Sequence, residues 1–230
     1  MRSYKHIFFD LDRTLWDFET NAKEAFKEIF ARYKLSRIFQ DFETFHSVYN
    51  KHNGKLWEKF RNGGITKKDL KYRRFYLTLK EYGKDDLKLA KQLGEEYMKI
   101  SARKTRLLPH SHEVLSYLQD KYFLYIITNG FHEAQLKKIE NSDLRKYFEK
   151  IITSDSAGVQ KPHGQIFRHA LKQANARTEE AIMIGDDIEG DIKGARDIGL
   201  DQVFFNPEGK THYIEPTFEI WSLKELKTIF

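Results

Sequence analysis

Short apolar blocks separated by helical patterns mark both ends of this chain, whereas its middle carries helical patterns alone. His6-Ile7-Phe8-Phe9, Phe123-Leu124-Tyr125-Ile126-Ile127 and Ala181-Ile182-Met183-Ile184 are unbroken runs of strand length. Runs of this kind predict strands buried on both faces, as in parallel sheets. Further strands are expected at Lys150–Ile152 and Gln202–Phe205, with a short last one near Phe218–Trp221, and a helix over Val114–Leu118 leads into the 123–127 strand. Between Asp17 and about Arg103 the spacing is helical. Ala22, Phe26, Ile29, Phe30 and Tyr33 share one face, Phe42, Phe45 and Tyr49 suggest a second helix, and Leu89, Leu93, Tyr97 and Ile100 outline a fourth. Thr66 followed by Asp69 reads as the N-cap and N3 acid of a third, after a loop at Asn62-Gly63-Gly64.

Alternation of strand and helix after residue 104 implies an α/β fold with a doubly wound parallel sheet. Its first strand precedes the helical span, so that span is an insertion. The expected organisation is a core of residues 1–16 and 104–230 and an inserted helical domain of residues 17–103. Its connections, near 16–20 and 101–106, are the hinge candidates.

Four polar groups sit at the ends of these elements. Asp10-Leu11-Asp12-Arg13-Thr14-Leu15 follows the first strand, Thr128-Asn129-Gly130 the second, and Gly185-Asp186-Asp187 with Asp191 the 181–184 strand; Lys161-Pro162 precedes a helical pattern starting near Gln165. Taken singly, each has a plain explanation: a solvated turn, a helix cap, a surface charge. Together they point to a shared site, because the strand ends of a parallel sheet converge on one ligand-binding crevice. Two carboxylates at i and i+2 allow one to attack while the other handles protons.

This ordered set resembles the four signature motifs of the haloacid dehalogenase (HAD)-like hydrolase superfamily. The resemblance covers residues 1–16 and roughly 104–230, including Leu107-Leu108-Pro109 and Gly158-Val159-Gln160-Lys161-Pro162-His163 with Ile166-Phe167 behind it. It implies a Rossmann-like core with the inserted helices as a cap over the pocket. It also implies a Mg²⁺-dependent phosphomonoesterase with Asp10 as nucleophile, forming an aspartyl-phosphate, and Asp12 as the acid and base. Thr128, Asn129 and Lys161 would bind the phosphoryl group. Asp10, the Asp12 carbonyl and Asp186 would ligate the metal, with Asp187 a further ligand or one acting through water, and Asp191 behind them, orienting Lys161 or a metal-bound water. Dehalogenating relatives lack a carboxylate at the Asp12 position, which demotes dehalogenation; a phosphomutase would use the same acid and base.

Asn53, Leu56-Trp57, Phe60, Gly63, Ile65, Leu70 and Arg74-Phe75, with Asp10 through Phe18, further resemble the YjjG-like pyrimidine 5′-nucleotidases. That branch implies a nucleoside monophosphate as substrate. Trp16, Phe18, Trp57 and Phe60 are candidates to stack on a base, although most of 18 Phe and 12 Tyr must fill cores. Arg74 can pair with a base carbonyl or phosphate, or form a surface salt bridge. The alternatives are a sugar-phosphate or phosphoglycolate phosphatase and, in a different class, a non-catalytic binding protein, against which the intact set of Asp10, Asp12, Thr128, Lys161 and Asp186 argues.

Composition narrows the field. No cysteine occurs among 230 residues, which excludes disulfides and thiolate chemistry. No apolar stretch is long enough to span a bilayer. Arg2 and Lys5 precede a run too short for a secretory leader, so a cytoplasmic location is expected. The net charge of +6 comes from basic residues scattered along helical patterns, such as Lys67-Lys68 and Arg73-Arg74. That distribution favours a small anionic partner over nucleic acid.

Overall fold

A computed structural model describes residues 3–230; Arg2, invoked above for the leader argument, lies outside them. The chain divides into two compact units, Met1–Phe18 with Thr105–Phe230, and Glu19–Lys104.

Four helices build the second unit: α1 (Phe18–Arg32), α2 (Phe42–Arg61), α3 (Lys67–Glu81) and α4 (Leu87–Ser101). Each buries one stripe, for example Ala22, Ala25, Phe26 and Ile29 of α1. The core is aromatic. Phe26 stacks on Tyr97 with ring centroids 4.4 Å apart and packs at the same distance against Tyr49. Side chains start three of the helices. Asp41 accepts from Thr44 N, Asp86 from Leu89 N, and Thr66 with Asp69 forms a reciprocal capping box. Each such cap stabilises by about 1 kcal/mol. Close packing of α3 on α4 depends on Gly94, where a Cβ would lie 2.6 Å from the Lys71 carbonyl.

The first unit is a six-stranded, wholly parallel sheet of β1 (His6–Phe9), β2 (Phe123–Thr128), β3 (Lys150–Thr153), β4 (Ala181–Gly185), β5 (Asp201–Phe205) and β6 (Phe218–Ile220), in the order β3-β2-β1-β4-β5-β6. The expected fold class, a doubly wound parallel sheet with inserted helices, is the observed one. Continuous apolar runs arise because both faces are covered. Ile7, Phe9, Leu124, Ile126, Ile182 and Ile184 point into one core with Val114, Leu115 and Leu118 of α5 (Ser111–Gln119). Phe8, Tyr125, Ile127, Ala181 and Met183 point into the other. Of the remaining helices, α6 (His132–Asn141), α7 (Ser154–Ala157), α8 (Gly164–Ala174), α9 (Gly194–Arg196) and α10 (Leu226–Ile229), α8 supplies Ile166, Phe167, Ala170 and Leu171 to that second core. No helix among the described residues is long and apolar enough to cross a membrane.

Strand order reverses direction at β1, with β2 and β3 on one side and β4 to β6 on the other. The carboxyl ends of strands at such a reversal frame the ligand crevice of open α/β sheets. The connections to the helical span run side by side here: Trp16 bridges Leu107, and Asp17 N donates to the Arg106 carbonyl.

Candidate active site

Asp10 leaves β1 with its N–H still bonded to the Ile184 carbonyl of the neighbouring strand, so the sheet register fixes where its side chain begins. The chain then turns tightly. Leu15 N and Trp16 N both donate to the Leu11 carbonyl, and Arg13 adopts a left-handed φ of 69°. This turn brings the Thr14 hydroxyl to Asp186 Oδ1 at 3.2 Å.

Lys161 is the centre of the cluster. Its Nζ donates to Asp10 Oδ1 at 2.5 Å, to Asp191 Oδ1 at 2.6 Å and to the Ile127 carbonyl at 2.9 Å. An ammonium has three hydrogens, and all three find acceptors. The loop carrying Lys161 is clamped to the end of β2 by Asn129, whose amide accepts from Lys161 N and donates to Lys161 O. The Asn129 side chain therefore positions the lysine loop, which differs from its expected direct role at the phosphoryl group. Thr128 is buried, and its hydroxyl oxygen accepts from Gly130 N and Gln135 Nε2, leaving its own hydrogen to donate.

Carboxylate oxygens of Asp10, Asp186 and Asp191 all lie within 4.8 Å of one another. Burial raises all three carboxyl groups; the Asp12 charge adds to the rise of Asp10, and the Asp10 and Asp187 charges add to that of Asp186 and Asp191, while the Lys161 charge opposes all three. Asp186 is pushed up to about 7. Burial alone would lower the Lys161 ammonium, but Asp10 and Asp191 outweigh it and hold the group above its ordinary value. Lys161 thus stays charged, and one ammonium does not balance three clustered carboxylates, of which Asp10 and Asp191 are buried and Asp186 half-buried. A hard divalent cation suits this oxygen set and its surplus negative charge. Asp187 differs from its expected place near the metal. It is exposed, and its Oδ1 caps the following turn by accepting from Glu189 N and Gly190 N. Asp191 is fully buried within the cluster, where its Oδ1 accepts from Lys161. Gly185 makes room for it, since a Cβ there would sit 2.3 Å from Asp191 Oδ2.

Asp12 sits in different company. Its Oδ2 accepts from Gln135 Nε2 at 3.0 Å and its Oδ1 from Lys138 Nζ at 2.6 Å, both donors on α6. Neither residue stands out in the sequence, where both read as ordinary polar positions of a helix; their signal is that they flank the buried Ala134 and Ile139.

The aromatic candidates separate. Trp16 is wholly buried in the core, which corrects its expected place as a stacking platform. Phe18 is half-buried, with the Arg13 guanidinium 4.1 Å from its ring. In the helical unit, Trp57 and Phe60 are half-buried and meet edge to face at 5.8 Å. Arg74 is no surface ion pair: it is buried, donates to Asn53 Oδ1 and lies over the rings of Tyr49 and Tyr97.

Residues 4–199 match the model of the haloacid dehalogenase-like hydrolases. The magnesium-bound crystal structure of the HAD-hydrolase YfnB from Bacillus subtilis superposes with a TM-score of 0.90 at 31% identity, covering 99% of this chain and 98% of that one. The pyrimidine 5′-nucleotidase YjjG of Escherichia coli is 32% identical over 97% of this chain and 96% of its own length. A glyceraldehyde 3-phosphate phosphatase of Pyrococcus furiosus is 34% identical over 89% of this chain and 82% of its own.

Proposed function

The chain belongs to the haloacid dehalogenase-like hydrolase family, and from that premise we propose that it is a magnesium-dependent phosphomonoesterase acting on nucleoside 5′-monophosphates, pyrimidine nucleotides first. The observation that carries the chemistry is the division of labour between two carboxylates. Asp10 is gathered with Lys161, Asp186 and Asp191, while Asp12, two residues on, is held by a separate pair of donors.

In this reading an Asp10 oxygen attacks phosphorus, the bond from phosphorus to the ester oxygen breaks, and the Asp12 carboxyl gives that oxygen a proton. Water then attacks the aspartyl-phosphate, Asp12 takes its proton, and the bond from phosphorus to Asp10 breaks to release phosphate. Thr128 and Lys161 hold the phosphoryl oxygens. Asp10, Asp186 and the Asp12 carbonyl would hold Mg²⁺, which when bound offsets the negative charge shared by nucleophile and substrate. Asp191 braces Lys161, because its two oxygens already accept from Lys161 and from Asp187 N.

Similarity to YjjG runs through the helical unit as well as the sheet, and this supports nucleotides as the substrate class. We assign the choice of ester to Phe18, Trp57 and Phe60. Phosphate release from a panel of ribo- and deoxynucleoside 5′-monophosphates, hexose phosphates, triose phosphates and phosphoglycolate, with and without Mg²⁺, tests the proposal. Mg²⁺-dependent release fastest with pyrimidine nucleotides is the expected result. Trp57→Ala is expected to lower kcat/KM for the preferred nucleotide by about 5- to 100-fold, the loss of one stacked base, without changing release from a small triose phosphate. Preference for triose or sugar phosphates would favour the second reading, which the Pyrococcus furiosus relative supports.

Cation binding has a predictable pH dependence. Because Asp186 is raised from 3.8 to about 7, the cation-free folded state holds a proton that the unfolded chain has released between these values. Its contribution to stability therefore falls as pH rises through that window and levels off above it. Mg²⁺ binds the deprotonated form. The rise in melting temperature on adding Mg²⁺ is expected to be small near pH 5 and to grow through pH 7 to 8. A Mg²⁺ effect independent of pH would exclude Asp186 as a ligand.

A further inference from the structure

Lys138 is an unusual lysine. Only 7% of its side chain is exposed, and its ammonium lies 4.0 Å from the ring centroid of Trp16, a residue wholly inside the core. An amine in such a place needs a partner, and the acid there is Asp12, at 2.6 Å. Gln135, one helical turn earlier on α6, is also buried. Its amide nitrogen donates to Asp12 Oδ2 at 3.0 Å and to the Thr128 hydroxyl at 2.7 Å, so one side chain joins the ends of β1 and β2. Gly130 makes this possible. A Cβ at that position would stand 2.3 Å from Gln135 Cδ, so any other residue would push the glutamine aside. Each Asp12 oxygen thus has its own donor, and the carboxyl plane is fixed from outside the loop that carries it.

We propose that Gln135 and Lys138 are positioning residues that aim the Asp12 carboxyl, with Trp16 as the floor on which the lysine rests. This proposal rests on the phosphomonoesterase reading above. In it, Asp12 first gives a proton to the leaving oxygen and later takes one from the attacking water. Both transfers require the carboxyl within hydrogen-bond reach of the reacting atoms. Two fixed donors remove the rotational freedom that would otherwise be lost at each step.

The test uses two esters that differ in their need for an acid. An alkyl leaving group, as in a nucleoside 5′-monophosphate, must be protonated, whereas 4-nitrophenolate departs without a proton. For Lys138→Met, kcat/KM is expected to fall about 100-fold on the nucleotide, the low end of a general-acid contribution, and far less on 4-nitrophenyl phosphate. KM for the nucleotide should change little, Lys138→Arg should restore most of the loss, and Gln135→Leu should show the same discrimination more weakly. Melting curves check that each variant folds, and the glutamine and arginine variants carry the test if Lys138→Met does not. Asp12→Ala, measured on the same pair, separates the two levels of the argument. If Asp12→Ala discriminates between the esters and the α6 variants lose equally on both, or lose nothing, the positioning role is overturned and the acid–base reading stands. If Asp12→Ala itself loses equally on both, or the parent protein hydrolyses neither ester, the underlying reading fails and the positioning role falls with it.

Discussion

Asp10→Asn is expected to lower phosphate release by roughly 10⁴-fold or more and to leave the protein folded. The amide is isosteric but has no charge to attack phosphorus, so no acyl-phosphate forms. The fold should survive because Lys161 keeps Asp191 Oδ1 and the Ile127 carbonyl as acceptors, and because the backbone bond from residue 10 to Ile184 is untouched. Removing one of three clustered carboxylates also relieves repulsion. Without Mg²⁺ the variant should melt no lower than the parent, and with Mg²⁺ it should gain less. Turnover retained in a sample shown by mass to carry Asn would rule out the covalent route.

Lys161→Met is expected to have the larger effect on stability. It leaves Asp10 and Asp191 buried without their shared cation, and breaking a buried pair in this way costs about 3–5 kcal/mol. The sign with pH follows from the carboxyl groups. Burial has already raised both above their ordinary value, and without the ammonium they rise further. Above those raised values charge is forced into the interior; below them the groups are neutral and the penalty fades. Thermal or urea unfolding should therefore show a deficit against the parent that is wide at pH 8 and narrows towards pH 5. A deficit constant across that range would mean that the lysine stem contributes packing and its charge does not matter. Loss of phosphate release is expected at every pH at which the variant folds.

Much of the site could be read in advance because of where its residues stand. Asp10, Thr128 and Asp186 each follow an apolar block, and a parallel sheet brings such positions together whatever their distance along the chain. The helical unit was equally legible. Thr66 and Asp69 form the expected capping box, and the helical stripes around Phe26, Tyr49 and Tyr97 meet in one core. What escaped were side chains whose surroundings overrule their chemistry. Arg74 reads as a surface cation, yet it lies between Leu70 and Phe75 on the inward face of α3, and its stem follows that face inward. Trp16 adjoins the Asp10–Leu15 turn, but it bridges Leu107 and its ring lies in the core. Gln135 and Lys138 sit among polar helical neighbours, and only the fold shows that their face looks at Asp12. The place of Asp187 depends on cap geometry, since a carboxylate that accepts from Glu189 N and Gly190 N has turned towards the backbone.

The place of β1 in the sheet has a consequence for how the molecule assembles. His6 pairs with Phe123 on one side and Ala181 on the other, so the middle strand is the first to be synthesised and waits longest for its neighbours. Contacts within Glu19–Lys104 are local by comparison, and local contacts form early. A growing chain should therefore carry a folded helical unit beside an unpaired stretch of Ile7, Phe8 and Phe9, the kind of exposed strand that aggregates when assembly stalls. Asp10 can meet Asp186 only after β4 has docked. A chain ending before Ala181 would keep the four helices of Glu19–Lys104 and Asp10, and would lack Asp186 and Asp191, and with them the acidic cluster.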